Sequence, residues 1–369
     1  MEELKCIGCG SILQTENSNQ VGYIPPHKLT EDADEILCQR CFRIKHYRDL
    51  PDIELNHEDF VKILNDIAKT DALVINVVDL FDLTGSLIPG IHRYIGNNDL
   101  ILVGNKRDIL PKAINNDKIK NWIRKIISDY GYQVKDIILI SSKRGDGIDE
   151  LFTTIEKYRK DRNVYVIGCT NVGKSTLINA IIKRFTPITK DVITASIYPG
   201  TTLGLIEIPL DDNHFIIDTP GIINHHQYAF YLDKNHLKHI LPDREINPKV
   251  YQLNPRQTLF IDGLARIDFV SGKRTSFVCH FSNAVKIHRT KLENADNLFA
   301  KHLGELLSPP TKEEYEKLGK YVKYEFKTPK ERSDIVISGL GFISLKDENL
   351  KVVVHAPKHV GVYIRPSLY

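Results

Sequence analysis

Apolar positions recur at helical spacing over 58–69, where Phe60, Ile63, Leu64 and Ile67 fall on one face. Beyond them, unbroken apolar runs of strand length alternate with amphipathic stretches. The runs predict strands at 72–78, 100–103, 137–140 and 164–167, and helices at 117–129, 148–158 and 173–183. Two more strands are expected at 203–209 and 214–217. Strands apolar on both faces, separated by helices, specify an α/β fold: a doubly wound, mostly parallel sheet.

After 223 the pattern changes. Short runs rich in β-branched and aromatic residues appear at 257–261, 275–279, 322–326, 335–338, 342–345 and 352–355, bounded by Gly, Asn or Pro. They predict a β-rich carboxyl-terminal domain with helical interruptions at 295–307 and 312–318. Residues 1–50 show little apolar periodicity and contain Pro25-Pro26. A segment so poor in core-forming residues draws its order from elsewhere, and a bound metal is one source. The pattern divides the chain into 1–50, 51–224 and 225–369.

Composition adds an address and a polarity. The chain is 42% hydrophobic and 26% charged, as in soluble globular proteins, and no run of 18 apolar residues predicts a membrane span. The amino terminus has neither signal nor transit composition, so a cytoplasmic location and no membrane partner are expected. The net charge of +3 is uneven: 225–369 holds 23 Lys+Arg against 16 Asp+Glu. A basic domain suits a polyanion such as RNA, although a solvated surface has the same composition. At 320–332, Tyr321, Tyr324 and Phe326 alternate with cations, a pairing suited to stacked bases and phosphates or to core packing.

Four of the six cysteines form two pairs, Cys6-x-x-Cys9 and Cys38-x-x-Cys41. In a cytosolic chain such pairs bind metal rather than forming disulfides, and four thiolates close a tetrahedral zinc site, with iron as the alternative. Arg40, Arg43, Lys45, His46 and Arg48 adjoin the second pair. They suit a phosphate backbone, or one turn of solvated helix.

The sharpest chemistry lies at 168–175, Gly-Cys-Thr-Asn-Val-Gly-Lys-Ser. Gly168 and Gly173 let backbone N–H groups cradle phosphates, Lys174 reaches the β/γ oxygens, and the Ser175 hydroxyl binds Mg²⁺. Asn171, Val172 and Thr176 complete the residues expected around the phosphates. Asn105-Lys106-Arg107-Asp108 reads guanine: Asp108 accepts from N1–H and the exocyclic amine, Asn105 holds the base edge, and Lys106 covers the ring. Ser141-Ser142-Lys143, at the end of a strand, supplies a backbone N–H to guanine O6.

Asp-x-x-Gly occurs twice, at Asp82–Gly85 and Asp218–Gly221. The second lies downstream of the loop, where Asp218 would hold Mg²⁺ through water and the Gly221 amide would meet the γ-phosphate. The first otherwise reads as a strand-ending turn. Thr201-Thr202 offer a hydroxyl to Mg²⁺, with Thr202 preferred. Lys174, Thr202, Asn171 and Gly221 thus form the expected catalytic set.

In the usual G-domain order the guanine reader follows the phosphate loop, but here it precedes it. This order, with the cysteine pairs, resembles the YqeH-type circularly permuted GTPases, a bacterial ribosome-assembly family. The resemblance rests on motifs spanning 6–221. It implies a permuted P-loop GTPase domain between a four-cysteine zinc module and a β-rich domain that binds RNA or protein. It also implies GTP hydrolysis tied to maturation of the small (30S) ribosomal subunit or its precursor, with rRNA a partner. Ile222 replaces the water-orienting glutamine found after many Asp-x-x-Gly motifs, so slow turnover is expected. Related GTPases lacking it use K⁺ held by a loop asparagine, the place of Asn171. The rival reading is a GTP-gated scaffold that captures a protein or peptide at its β domain.

Overall fold

Every residue of the first long strand, Ala72–Asp79, is buried, so the side chains on both of its faces are covered. The computed structural model describes residues 4–7, 11–18, 20–29, 36–47, 54–55, 57–185 and 205–369. It divides into two units, Met1–Arg107 with Ile127–Ile223 and Asp108–Ile126 with Asn224–Tyr369.

The first unit is built on strands β1 (Ala72–Asp79), β2 (Asp99–Asn105), β3 (Asp136–Leu139), β4 (Asn163–Gly168), β5 (Ile206–Pro209) and β6 (Phe215–Asp218). Their spatial order is β3-β2-β1-β4-β6-β5. All pairings are parallel except the edge pair β5–β6. This is the mostly parallel P-loop sheet that the apolar runs predict. The helices are α1 (Gln39–Tyr47), α2 (His57–Ile67), α3 (Asn116–Asp129), most of which belongs to the second unit, α4 (Ile148–Arg159) and α5 (Lys174–Phe185). Residues 203 and 204 of the expected strand at 203–209 lie outside the described residues. Sheet order places the loops after β1, β2, β4 and β6 at the carboxyl ends of neighbouring strands, where open α/β sheets bind ligands. A two-residue parallel pair, Glu54–Leu55 with Gly221–Ile222, adjoins that edge.

The second unit contains β7 (Lys249–Leu253), β8 (Gln257–Ile261), β9 (Ala265–Ser271), β10 (Thr275–Phe281), β11 (Ile287–Lys291), β12 (Tyr321–Lys327), β13 (Ser333–Ile337), β14 (Gly341–Leu345), β15 (Lys351–Pro357) and β16 (Val362–Pro366). They form two antiparallel sheets, β11-β8-β9-β15-β12 and β16-β13-β14-β10-β7. Both contribute to one core, including Ile267 and Phe269 of β9, Phe277 of β10, Ile343 of β14 and Val354 of β15. Inside the first sheet, Asp268 accepts from Arg266 Nε at 2.8 Å and Thr258 Oγ1 at 2.6 Å, and lies 2.9 Å from His355 Nε2. Segment 108–126 belongs to this unit, and Trp122 Nε1 donates to the Pro366 carbonyl at 2.9 Å.

The structure decides between the two readings of 320–332. Tyr321, Tyr324 and Phe326 pack against the core rather than displaying rings for bases. The Tyr321 hydroxyl donates to the Gly263 carbonyl at 3.0 Å, and Tyr324 to that of Val360 at 3.2 Å. Lys323, Glu325 and Lys327 fill the exposed face of β12. Strand alternation turns Tyr324 and Phe326 inward, and Tyr321, at the start of the strand, packs against Phe299 and Tyr315, because burying a large ring outweighs leaving it in water. No helix among the described residues is long and apolar enough to cross a membrane.

Candidate functional site

The phosphate loop leaves β4 and enters α5. A Cβ at Gly168 would stand 2.7 Å from the Val77 carbonyl oxygen, so the loop runs against β1 as only glycine permits. Gly173 has φ of +86°, and a Cβ there would meet Asn105 Nδ2 at 2.4 Å. Asn171 also takes a left-handed φ, +63°. Successive backbone turns of this kind aim N–H groups into one concavity, a cradle for an anion at the start of a helix.

Asn105 ties three motifs together. It is buried, and its Nδ2 donates to the Val172 carbonyl of the phosphate loop at 2.8 Å. Its Oδ1 accepts from Ser142 N at 3.0 Å and Ser142 Oγ at 2.9 Å. One amide thereby joins the guanine reader, the phosphate loop and the Ser141–Lys143 loop, using both acceptor and donor ends. Ser141 is buried and its N–H donates to the Asp146 carbonyl at 3.0 Å, closing that loop, while Lys143 is exposed.

Lys106 has a left-handed φ of +65°, and its Nζ donates to Asp79 Oδ2 at 2.6 Å and to the Asn171 carbonyl at 2.7 Å. Asp79, the last residue of β1, is a site residue that sequence reasoning missed. Its signal was available: a carboxylate ending a mainly apolar strand at the ligand edge. Asp108 falls in the 3-10 turn Arg107–Ile109 that follows, half-buried.

Asp218 ends β6 fully buried between two cations. Lys174 Nζ lies 2.5 Å from its Oδ1 and also donates to the Thr219 carbonyl. Arg40 Nη2 lies 2.8 Å from its Oδ2. Arg40 is therefore not a surface contact for a phosphate backbone, as its neighbours in sequence imply, but 4% exposed within the site. A fully buried carboxylate draws cations inward because leaving it unpaired costs several kcal/mol, about 3–5 on removal of a partner. Arg40, Cys169, Thr170, Asn171, Lys174, Ser175, Pro220 and Gly221 line one pocket.

Ser175 is buried beside Lys174, and Thr176 is exposed on α5. Thr170 N donates to the Ile222 carbonyl at 2.8 Å, fixing the Gly221–Ile222 turn to the loop. The Cys169 thiol is pushed up to about 12 by burial and by the neighbouring Asp82 carboxylate, so it remains a neutral small side chain. Asp82 itself caps the one-turn helix Leu83–Ser86 by accepting from Gly85 N at 3.2 Å. Thr201 and Thr202 lie outside the described residues.

Cys6, Cys38 and Cys41 are buried, and their sulfurs all lie within 4.8 Å of one another. Cys38 N donates to Cys6 Sγ at 3.1 Å, and Ile7 N to the Ile36 carbonyl at 3.0 Å. An N–H aimed at a sulfur and convergent buried sulfurs fit a thiolate-bound metal. Cys9 and Arg48 lie outside the described residues.

Residues 274–368 match the family described as YqeH-like, C-terminal, and 163–255 the family described as 50S ribosome-binding GTPase. The chain is 49% identical over 368 residues to YqeH of Bacillus subtilis (strain 168), covering 100% of both. It is 29% identical to NO-associated protein 1, chloroplastic/mitochondrial, of Arabidopsis thaliana, over 98% of this chain and 76% of that one. A structure of GNP-bound YlqF from T. maritima overlaps 44% of this chain and 57% of that one, at 21% identity and a TM-score of 0.30.

Proposed function

This chain belongs to the YqeH-like family of circularly permuted GTPases, and from that premise we propose that it is a cytoplasmic, nucleotide-timed switch in assembly of the small ribosomal subunit. The observation that carries the reading is Asn105, whose one amide links the guanine reader to the phosphate loop and to Ser142. Such a link makes base identity and phosphate contact parts of one binding event.

In this reading Asn105, Lys106, Asp108 and the 141–143 loop select guanine, and residues 168–176 hold the phosphates. Ser175, Thr202 and, through water, Asp218 would hold Mg²⁺, whose chemistry would be to neutralise phosphate charge. Cys6, Cys9, Cys38 and Cys41 hold zinc, whose chemistry is structural cross-linking. The excess of Lys and Arg over Asp and Glu in 225–369, with Lys323 and Lys327 exposed on β12, supports contact with ribosomal RNA through phosphates rather than bases. Co-sedimentation with ribosomal subunits tests the role. The expected result is binding to the small subunit that is stronger with a non-hydrolysable GTP analogue than with GDP and weakens steeply with salt. Salt-insensitive capture of one polypeptide would favour the scaffold reading.

Hydrolysis is slow in this reading because Ile222 cannot orient water, and K⁺ held near Asn171 adds charge to the phosphates. Turnover should rise at least several-fold when K⁺ replaces Na⁺. Equal rates in the two salts remove the cation from the mechanism.

A further inference from the structure

The cysteine module delivers a side chain into the phosphate pocket. Arg40 sits between Cys38 and Cys41, in the first turn of α1, so the atoms that anchor the knuckle also set the start of its stem. Its guanidinium reaches Asp218 Oδ2 at 2.8 Å while Lys174 holds Oδ1 at 2.5 Å. Arg40, Asn171, Lys174, Ser175 and Gly221 share the same pocket lining. A second tie is independent of this pair. Glu54–Leu55, on the chain leaving the module, pair in parallel with Gly221–Ile222, the expected γ-phosphate turn. Both the module's side chain and its outgoing strand therefore meet the end of β6.

We propose that Arg40 is a catalytic residue, an arginine supplied in cis by the cysteine module to the γ-phosphate oxygens of GTP. The inference rests on the GTPase reading above. With GTP bound, Lys174 would turn from Asp218 to the phosphates, and the buried guanidinium would exchange a carboxylate for phosphate oxygens and stay paired. In the reaction, the oxygen of water forms the new bond to the γ phosphorus. The bond from that phosphorus to the β,γ-bridging oxygen breaks, leaving its electron pair on GDP. The water's proton leaves on inorganic phosphate or to solvent. Arg40 transfers no proton; its fixed charge and planar fork of donors stabilise the oxygens as charge develops. This supplies from within the chain what an arginine finger supplies in other GTPases.

The test uses the full chain, with zinc content and melting temperature measured for every variant. R40A should lower the single-turnover rate by about 10²-fold or more. It should also abolish fluoride- and aluminium-dependent capture of fluorescent GDP, a mimic of the transferring phosphoryl group. GTP affinity should change by less than about threefold, because the interaction belongs to the transition state. R40K decides the case where R40A has lost zinc, since it keeps the stem and the charge but not the fork. Loss of fluoroaluminate capture in a zinc-loaded R40K supports the proposal. Capture and turnover at wild-type levels in either zinc-loaded variant overturn it. A wild-type chain that binds GTP no better than ATP sinks the parent reading instead, a result no Arg40 variant would produce.

Discussion

Asp108→Asn should weaken GTP binding by about 10²–10³-fold and raise affinity for xanthosine triphosphate. An ionised carboxylate accepts from both guanine N1–H and the exocyclic amine, and each hydrogen bond to a charged group contributes about 1.5–3 kcal/mol. Asparagine turns an N–H₂ toward the amine, so two donors face each other. Xanthine carries a carbonyl oxygen at that carbon and restores a donor–acceptor pair. The loss expected, about 3–4 kcal/mol, follows from one clashing bond and one weakened bond. Calorimetric titration with GTP, ATP and xanthosine triphosphate is the measurement. Undiminished GTP affinity in the variant would remove Asp108 from the site and leave the guanine assignment without its main discriminator.

Asp268→Ala should destabilise the second unit by about 3 kcal/mol at neutral pH, the low end for breaking a buried ion pair because Arg266 keeps its contact with Asp296. Arg266 is 8% exposed and Asp268 3%, so water replaces little of what is lost. The single tryptophan, Trp122, lies in this unit, so its fluorescence during urea unfolding reports the change. The pH dependence has a definite sign. Burial would raise the Asp268 carboxyl, but hydrogen bonds from His355, Arg266 and Thr258 outweigh it and hold the group below its ordinary value. Its contribution is therefore complete above the unfolded value, about 3.9, and lost as pH falls through the folded one. The urea midpoints of variant and wild type should converge as pH drops from about 5 toward about 2. A gap that stays constant or widens on acidification would show that the carboxylate charge is not what stabilises.

The same two residues explain where sequence reading ran out. A strand that is mostly apolar, such as Ala72–Asp79, announces itself. β9 does not, because Arg266 and Asp268 interrupt its apolar pattern and their mutual pairing is a tertiary fact. β11, with the sequence Ile-His-Arg-Thr-Lys, is a sheet edge whose polar side chains carry no burial signal. In the site, local patterns reveal the loop glycines and Asn105, since their roles come from spacing. Asp79 and Arg40 have roles set by partners 27 and 178 positions away, Lys106 and Asp218. Arg40 in particular stands among surface-type cations, and nothing within its own segment separates it from them.

The strand order has an outcome in time as well as space. β3-β2-β1 form one contiguous side of the sheet, and β4-β6-β5 form the other. Amino-to-carboxyl synthesis finishes the first side before a residue of the second exists. A nascent chain thus completes the half proposed to read the base early and the half proposed to hold the phosphates late, joined along the β1–β4 seam. In the proposed reading, the Asn105 amide can tie the two halves together only after translation has passed Val172.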